Sequence, residues 1–263
     1  MIYLSWLYDA EPLTVALGLG GFLLVCAFVG MLSGHYERQK PGDEADQKSH
    51  LSNVLGAMLG LMALLLGFTF ALAAGRFEAR QKLVVREANA IGTALLRAEM
   101  LPSPLNERAR TDLESYIMVC SRFGRSHNAA DAKDMEAEFV RLQRSLWKTV
   151  VAAEKLRPEP VPTGQFVSAM NDLIDLHGER VANRRNRVPT TIYILLFFSA
   201  GLGHVLLGLS SGIHGRRLGL STILTAVLVS GVVYTILDLD RPLSGLLVND
   251  QSPIEDLRKG LQK

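Results

Sequence analysis

LSNVLGAMLGLMALLLGFTFALAAG, residues 51–75, decides the fold class. No Asp, Glu, Lys or Arg interrupts it. At 1.5 Å rise per residue it is longer than the roughly 30 Å hydrocarbon core of a bilayer. Buried helices of soluble proteins seldom stay uncharged for so long. Three more stretches share the property: Pro12–Gly34, Val188–Ile213 and Leu218–Leu237. Together they predict an all-α integral membrane protein with four transmembrane helices.

Working outward, the segment between the second and third stretches is a different material. Residues 76–187 carry 19 Lys/Arg against 15 Asp/Glu, a net +4, and no strand alternation. This predicts a helical-bundle domain inserted between the second and third spans. The domain layout is then a first transmembrane hairpin (1–75), the extramembrane helical domain (76–187), a second hairpin (188–240) and a C-terminal tail (241–263). So modest an excess of charge does not call for nucleic acid; membrane phospholipid is the expected counter-charge.

The leader, Met1–Pro12, lacks a basic n-region and contains Asp9 and Glu11, so the first span reads as a retained helix rather than a cleaved signal. Cys26 and Cys120 fall in unlike surroundings and make neither a disulfide framework nor a metal site.

From Leu51 to Met100 there is no Pro, and Leu83, Val84, Glu87, Ala88, Ile91 and Leu95 keep helical spacing beyond Arg76. The second span should therefore continue as one rod and carry movement in the membrane into the domain. Pro102-Ser103-Pro104 ends it, with Ser103 as the expected N-cap and Pro104 at the first helical position. Two amphipathic stripes follow, Leu105 to Phe123 and Met135 to Ala153, parted by a turn around Asn128 to Asp131. After the break at Pro158-Glu159-Pro160-Val161-Pro162, a last polar helix leads to Arg184, Arg185 and Arg187. Pro189 opens the third span.

Glycines recur four apart, at Gly30 and Gly34 and again at Gly56 and Gly60, followed by Gly67. Such spacing lets helix backbones approach closely, and Gly56, Gly60 and Gly67 are read as a packing seam. Gly92 lies among Glu87, Asn89, Thr93 and Arg97, which predicts either a close helix crossing at Gly92 or a polar cluster of Glu87, Asn89 and Arg97.

Two other places draw attention as parts of an ion path. Asp238, Asp240 and Arg241 end the fourth span, where charges must be paired or hydrated. They read as a charged mouth or as a salt-bridged anchor; Asp238 should pair with Arg241 three residues on, leaving Asp240 for another basic group. His204 is the other candidate, an ionisable side chain inside a span, read as a polar path or as a neutral ring bonded to a neighbouring helix. No G-x-S-x-G, P-loop, H-E-x-x-H or C-x-x-C is present, so no catalytic residue, cofactor or metal site is assigned and no enzyme is expected.

Basic residues set the orientation. The domain's flanks carry Arg76, Arg80, Lys82, Arg86, Arg180, Arg184, Arg185 and Arg187; the opposite side carries Arg38, Lys40, Lys48, Arg216 and Arg217. The positive-inside rule puts the domain and both termini in the cytoplasm, although the first span alone favours the reverse.

Several elements resemble the bacterial bestrophin-like domain family. They are Leu65-Leu-Gly67-Phe-Thr-Phe-Ala-Leu-Ala, Arg76, Glu87-Ala-Asn89-Ala-Ile-Gly-Thr-Ala, Arg187-Val-Pro189 and Asp238-Leu-Asp240-Arg241-Pro242. The resemblance covers most of the chain and has no settled function of its own. It implies distant similarity to bestrophins, pentameric anion channels whose mass is cytoplasmic. The expectation is a homo-oligomeric bacterial inner-membrane protein that conducts inorganic ions. The alternative is a non-conducting adaptor whose helical domain binds a partner.

Overall fold

The computed structural model describes residues 10–38, 44–126, 129–156, 160–241 and 246–261. The leader at 1–9, Asn128, Pro158, Glu159 and the expected stop at Pro242–Gly245 lie outside them.

The uncharged stretches are helices. Pro12 starts α1 (Pro12–Glu37), where its missing N–H would have had no intrahelical partner. α2 (Glu44–Ala98) runs unbroken for 55 residues, about 80 Å. α3 (Leu105–Arg125), α4 (Ala129–Leu156) and α5 (Pro160–Arg185) follow. α6 (Thr190–Ile213) and α7 (Leu220–Asp240) are the last two spans, and α8 (Ser252–Gly260) is a short amphipathic helix near the C-terminus. Among the described residues, four helices are long and apolar enough to cross a membrane. The described residues contain no strand, and the all-α membrane fold holds.

Two compact units divide the chain: Met1–Gly75 with Arg187–Arg241, and Arg76–Asn186 with Pro242–Lys263. Of the C-terminal segment, Ile254 joins the core of the helical unit, with Leu257 and Leu261 packed against it.

In the membrane unit, α1 and α6 touch backbone to backbone. A Cβ at Gly30 would overlap the carbonyl of Val205, and one at Gly34 the carbonyl of Leu209. From the other side, Gly208 meets the carbonyl of Ala27 and Gly212 that of Met31. Lipid gives apolar helices no hydrophobic reason to associate, so this close packing supplies the attraction. The seam expected at Gly56, Gly60 and Gly67 is different. Among the described residues, nothing outside its own stretch of helix comes within 4 Å of a Cβ at any of the three. The buried positions of this stretch, Leu51, Met62, Thr69 and Ala73, fall on the opposite side of α2 at 100° per residue.

In the helical unit the stripes read from spacing form the core. Leu113, Tyr116, Ile117 and Cys120 from α3, Phe139 and Leu146 from α4, and Phe166, Met170 and Leu173 from α5 are fully buried. Ile91 and Ala94 of α2 and Ile254 of α8 complete it. Among the described residues, a Cβ at Gly92 would meet the tip of Leu257 at ordinary contact distance (3.7 Å), so the crossing there is side chain on backbone. The expected cap at Ser103 is replaced by backbone. α3 begins at Leu105 with Pro104 as its cap residue, and the carbonyl of Pro102 accepts the N–H groups of Leu105 (2.8 Å) and Asn106 (3.3 Å). That turn satisfies amides a serine hydroxyl would otherwise serve.

Candidate functional site

Glu87 is a helical position on the face of α2 that carries Val84, Ala88 and Ile91 into the core, so its carboxylate enters an apolar interior. Burying a charge there is costly unless it is paired and hydrogen-bonded. The partners come from α3 and α5. Arg180 forms an ion pair with Glu87 Oε2, His177 Nδ1 lies 3.8 Å from Oε1, and Tyr116 donates its hydroxyl to Oε1 at 3.4 Å. Burial pushes the Glu87 carboxyl upward, but the charge of Arg180, the nearby His177 ring and the bond from Arg180 outweigh it, and the net shift is downward.

The surroundings are aromatic and shut. Phe139 packs edge-on to Tyr116 at 4.9 Å and against the His177 ring at 4.2 Å. Burial, then the neighbouring carboxylate, pushes the Cys120 thiol well up, so it is inert as a nucleophile. Tyr116 is likewise pushed well up, first by burial. All the chemistry of Glu87 is used within the unit, which makes the cluster a positioning device for α2, α3 and α5.

The polar cluster expected from the sequence is not assembled. Asn89 is exposed, and Arg97 donates to the carbonyl of Gln165 at 2.8 Å. Ten residues separate Glu87 from Arg97, roughly 15 Å along a helix, too far for one site. Arg180 and His177 are the functional partners that sequence reading missed. Arg180 had read as a flank charge, yet its three-residue spacing from His177, itself on the apolar stripe of α5, was the available signal.

In the membrane unit, Asp240 closes α7 and is 1% exposed. Both its oxygens accept the Val188 N–H at 3.0 Å, and the Tyr193 hydroxyl lies 3.4 Å from Oδ2. The carboxylate therefore clasps the turn into α6, whose first N–H groups have no intrahelical acceptor. Asp238 is also 1% exposed, and its backbone carbonyl accepts the Arg241 N–H at 3.3 Å. The Arg241 guanidinium is within electrostatic reach of Arg187, Tyr193, Asp238 and Asp240. His204 is wholly buried in α6, with Nδ1 against the Ala200 carbonyl of its own helix at 2.9 Å rather than against a neighbour. Its Nε2 has no hydrogen-bond partner among the described residues. The structure gathers Asp238, Asp240 and Arg241 at one helix end.

Two solved structures share this fold, both crystal structures of a bacterial bestrophin homologue from Klebsiella pneumoniae bearing single alanine substitutions. One aligns with a TM-score of 0.63 at 16% identity, over 92% of this chain and 96% of its own. The other gives 0.65 at 15% identity, over 96% and 97%. No curated protein matches the chain in sequence. The bestrophin-like domain is matched by residues 21–252, spanning both units and both clusters just described, and this multi-pass membrane protein belongs to that family.

Proposed function

We propose that the chain is a subunit of a homo-oligomeric ion channel in the bacterial inner membrane, with the helical unit and both termini in the cytoplasm. One observation carries this reading. The membrane stretch of α2 leaves a broad arc open, and the arc has two unlike edges. One edge is small, with Gly56, Gly60, Ala63 and Gly67; the other is large and apolar, with Leu61, Leu64 and Phe68 at 51%, 53% and 66% exposure. Lipid covers the large edge well, whereas small residues favour close approach of another helix. A second copy of the chain supplies that helix, and repetition about an axis brings α2 segments together around a path for inorganic ions.

Orientation follows from the eight basic residues flanking the helical unit against five on the other side. Arg80 and Arg180 end up buried, but topology is set on the inserting chain, so the count still applies.

Reconstitution into planar bilayers tests the reading. A channel gives discrete conductance steps from a particle of several subunits. A particle that is multimeric but electrically silent under every ion gradient would instead be an adaptor.

A further inference from the structure

An apolar groove of about 460 Å³ runs between α1 and α7, both of them in the membrane unit. α1 and α6 are parallel, since Gly30 meets Val205 and Gly34 meets Leu209, and the turn after α6 sends the chain back along α7. α7 therefore ends on the side of the membrane where α1 begins. Gly20 faces Ser230, and a Cβ added there would lie 3.2 Å from the serine hydroxyl. Counted from that contact, Leu13 and Tyr234 mark the outer end of the groove, and Leu24 and Ala226 its inner end. Leu13 to Leu24 spans about 16 Å at 1.5 Å per residue. Half of a hydrocarbon core of roughly 30 Å is about 15 Å. The groove starts with the first turn of α1 and is one leaflet deep.

Its cross-section selects the occupant. The floor is small and buried, with Ala16, Ala226 and Ser230. The rims are tall, with Leu17 and Val227 standing 69% and 64% exposed. A helix with its side chains is about 10–12 Å wide, and rims of that height hold it off the floor. Close helix contact needs small residues at the rim instead. Water finds few partners. Ser230 and Tyr234 are the polar side chains of the lining, and the Ser230 hydroxyl is buried towards Gly20. An ordered water takes 2–4 polar partners. Left empty, the walls would forfeit dispersion contacts. A single hydrocarbon chain is narrow enough to reach the floor and flexible enough to follow it.

We propose that this groove is a binding site for one acyl chain of a phospholipid, drawn from the leaflet in which α1 begins. The chain fills the space that α1 and α7 leave between them, and the gain is close packing, since lipid surrounds both helices in any case. Gly21 and Gly231 keep the groove open, because a Cβ at either meets nothing within 4 Å among the described residues. The site belongs to the membrane unit alone and stands whether or not the chain conducts.

The experiment is photo-cross-linking of the full-length protein in mild detergent, with an equimolar amount of phosphatidylglycerol carrying a diazirine in one acyl chain. A diazirine at the chain end should label around Leu24 and Ala226, and one near the carboxyl should label around Leu17 and Tyr234. Leu64 and Phe68, exposed on α2, should take little label. Gly21→Leu and Gly231→Leu each put a side chain into the groove with room for its Cβ, and each should abolish the labelling. Label spread evenly over the exposed apolar positions overturns the proposal, as does labelling that survives both variants. Label found on single subunits but lost from a particle of several would put a second copy in the groove and overturn it too.

Discussion

Glu87 on α2 and Arg180 on α5 form an ion pair inside the helical unit, their side chains 0% and 9% exposed. The residues are far apart in sequence, and each is a charge that its own helix carries into the core. Neither could be there alone, because an isolated buried charge forfeits its hydration without return. The pair therefore fixes how α5 lies against α2, while Tyr116 adds α3 to the same carboxylate.

Removing one partner should be worse than removing both charges. Arg180→Met leaves Glu87 buried and unanswered, at a cost of about 3–5 kcal/mol. Glu87→Gln with Arg180→Met should recover a large part of that. Tm of the purified single and double variants measures the difference. A double variant no better than the single would show that the pair is not the unit of stability.

Acid should loosen the helical unit. Glu87 has its folded pKa below the ordinary 4.5, and Glu255 is lowered in the same way, chiefly by its bond from Ser121. A carboxylate with a depressed folded pKa contributes stability that is present above the unfolded pKa and lost as pH falls through the folded one. Stability should then hold from pH 7 to about 5 and decline below 4.5. Hydrogen exchange of α3 and α5 across that range checks it, and Glu87→Gln should flatten the decline.

Glycines on the two sides of the membrane unit should answer differently to enlargement. Gly208→Leu drives a side chain into the Ala27 carbonyl, where no rotamer change relieves the clash. It should cost more than the 1–3 kcal/mol typical of overpacking and give little folded protein. At Gly56 an added Cβ meets nothing within 4 Å among the described residues, and Gly56→Leu is accordingly different. It should leave the subunit folded and lower the mass of the particle in mild detergent. Equal tolerance at both positions would contradict the open arc as a contact between copies.

At the end of α7, Asp240→Ala leaves the buried Val188 N–H without its acceptor and should cost about 1–3 kcal/mol. Asp240→Asn keeps one acceptor and should lose less. If conductance is found, a change of ion preference in Asp240→Asn with Tm little altered would make this carboxylate part of the path rather than a clasp.

Asn89→Ala should be silent, since the side chain is exposed, and Arg97→Ala should cost under about 1 kcal/mol, through one bond to the Gln165 carbonyl. Coupling of either to Glu87→Gln in a double-mutant cycle would restore the cluster that the structure separates.

Sequence by itself determined the elements that depend on local chemistry. Four uncharged stretches are helices because lipid admits few other backbones, and the stripes from Leu113 to Phe123 and from Met135 to Ala153 are buried because 3.6-residue spacing already puts them on one face. The unbroken course of α2 to Ala98 was legible for the same reason: nothing in it stops a helix. Tertiary structure alone decided which faces meet. Gly30 and Gly34 are no different in spacing from Gly56 and Gly60, yet among the described residues only the first pair finds a facing backbone, at the matching glycines of α6. Arg180 reads in sequence like any flank arginine, and Asp240 like a charge in need of a cation. One is buried against Glu87, and the other accepts the Val188 N–H at 3.0 Å. Pairing between distant residues is set by the packing of whole helices, which no local window of sequence contains.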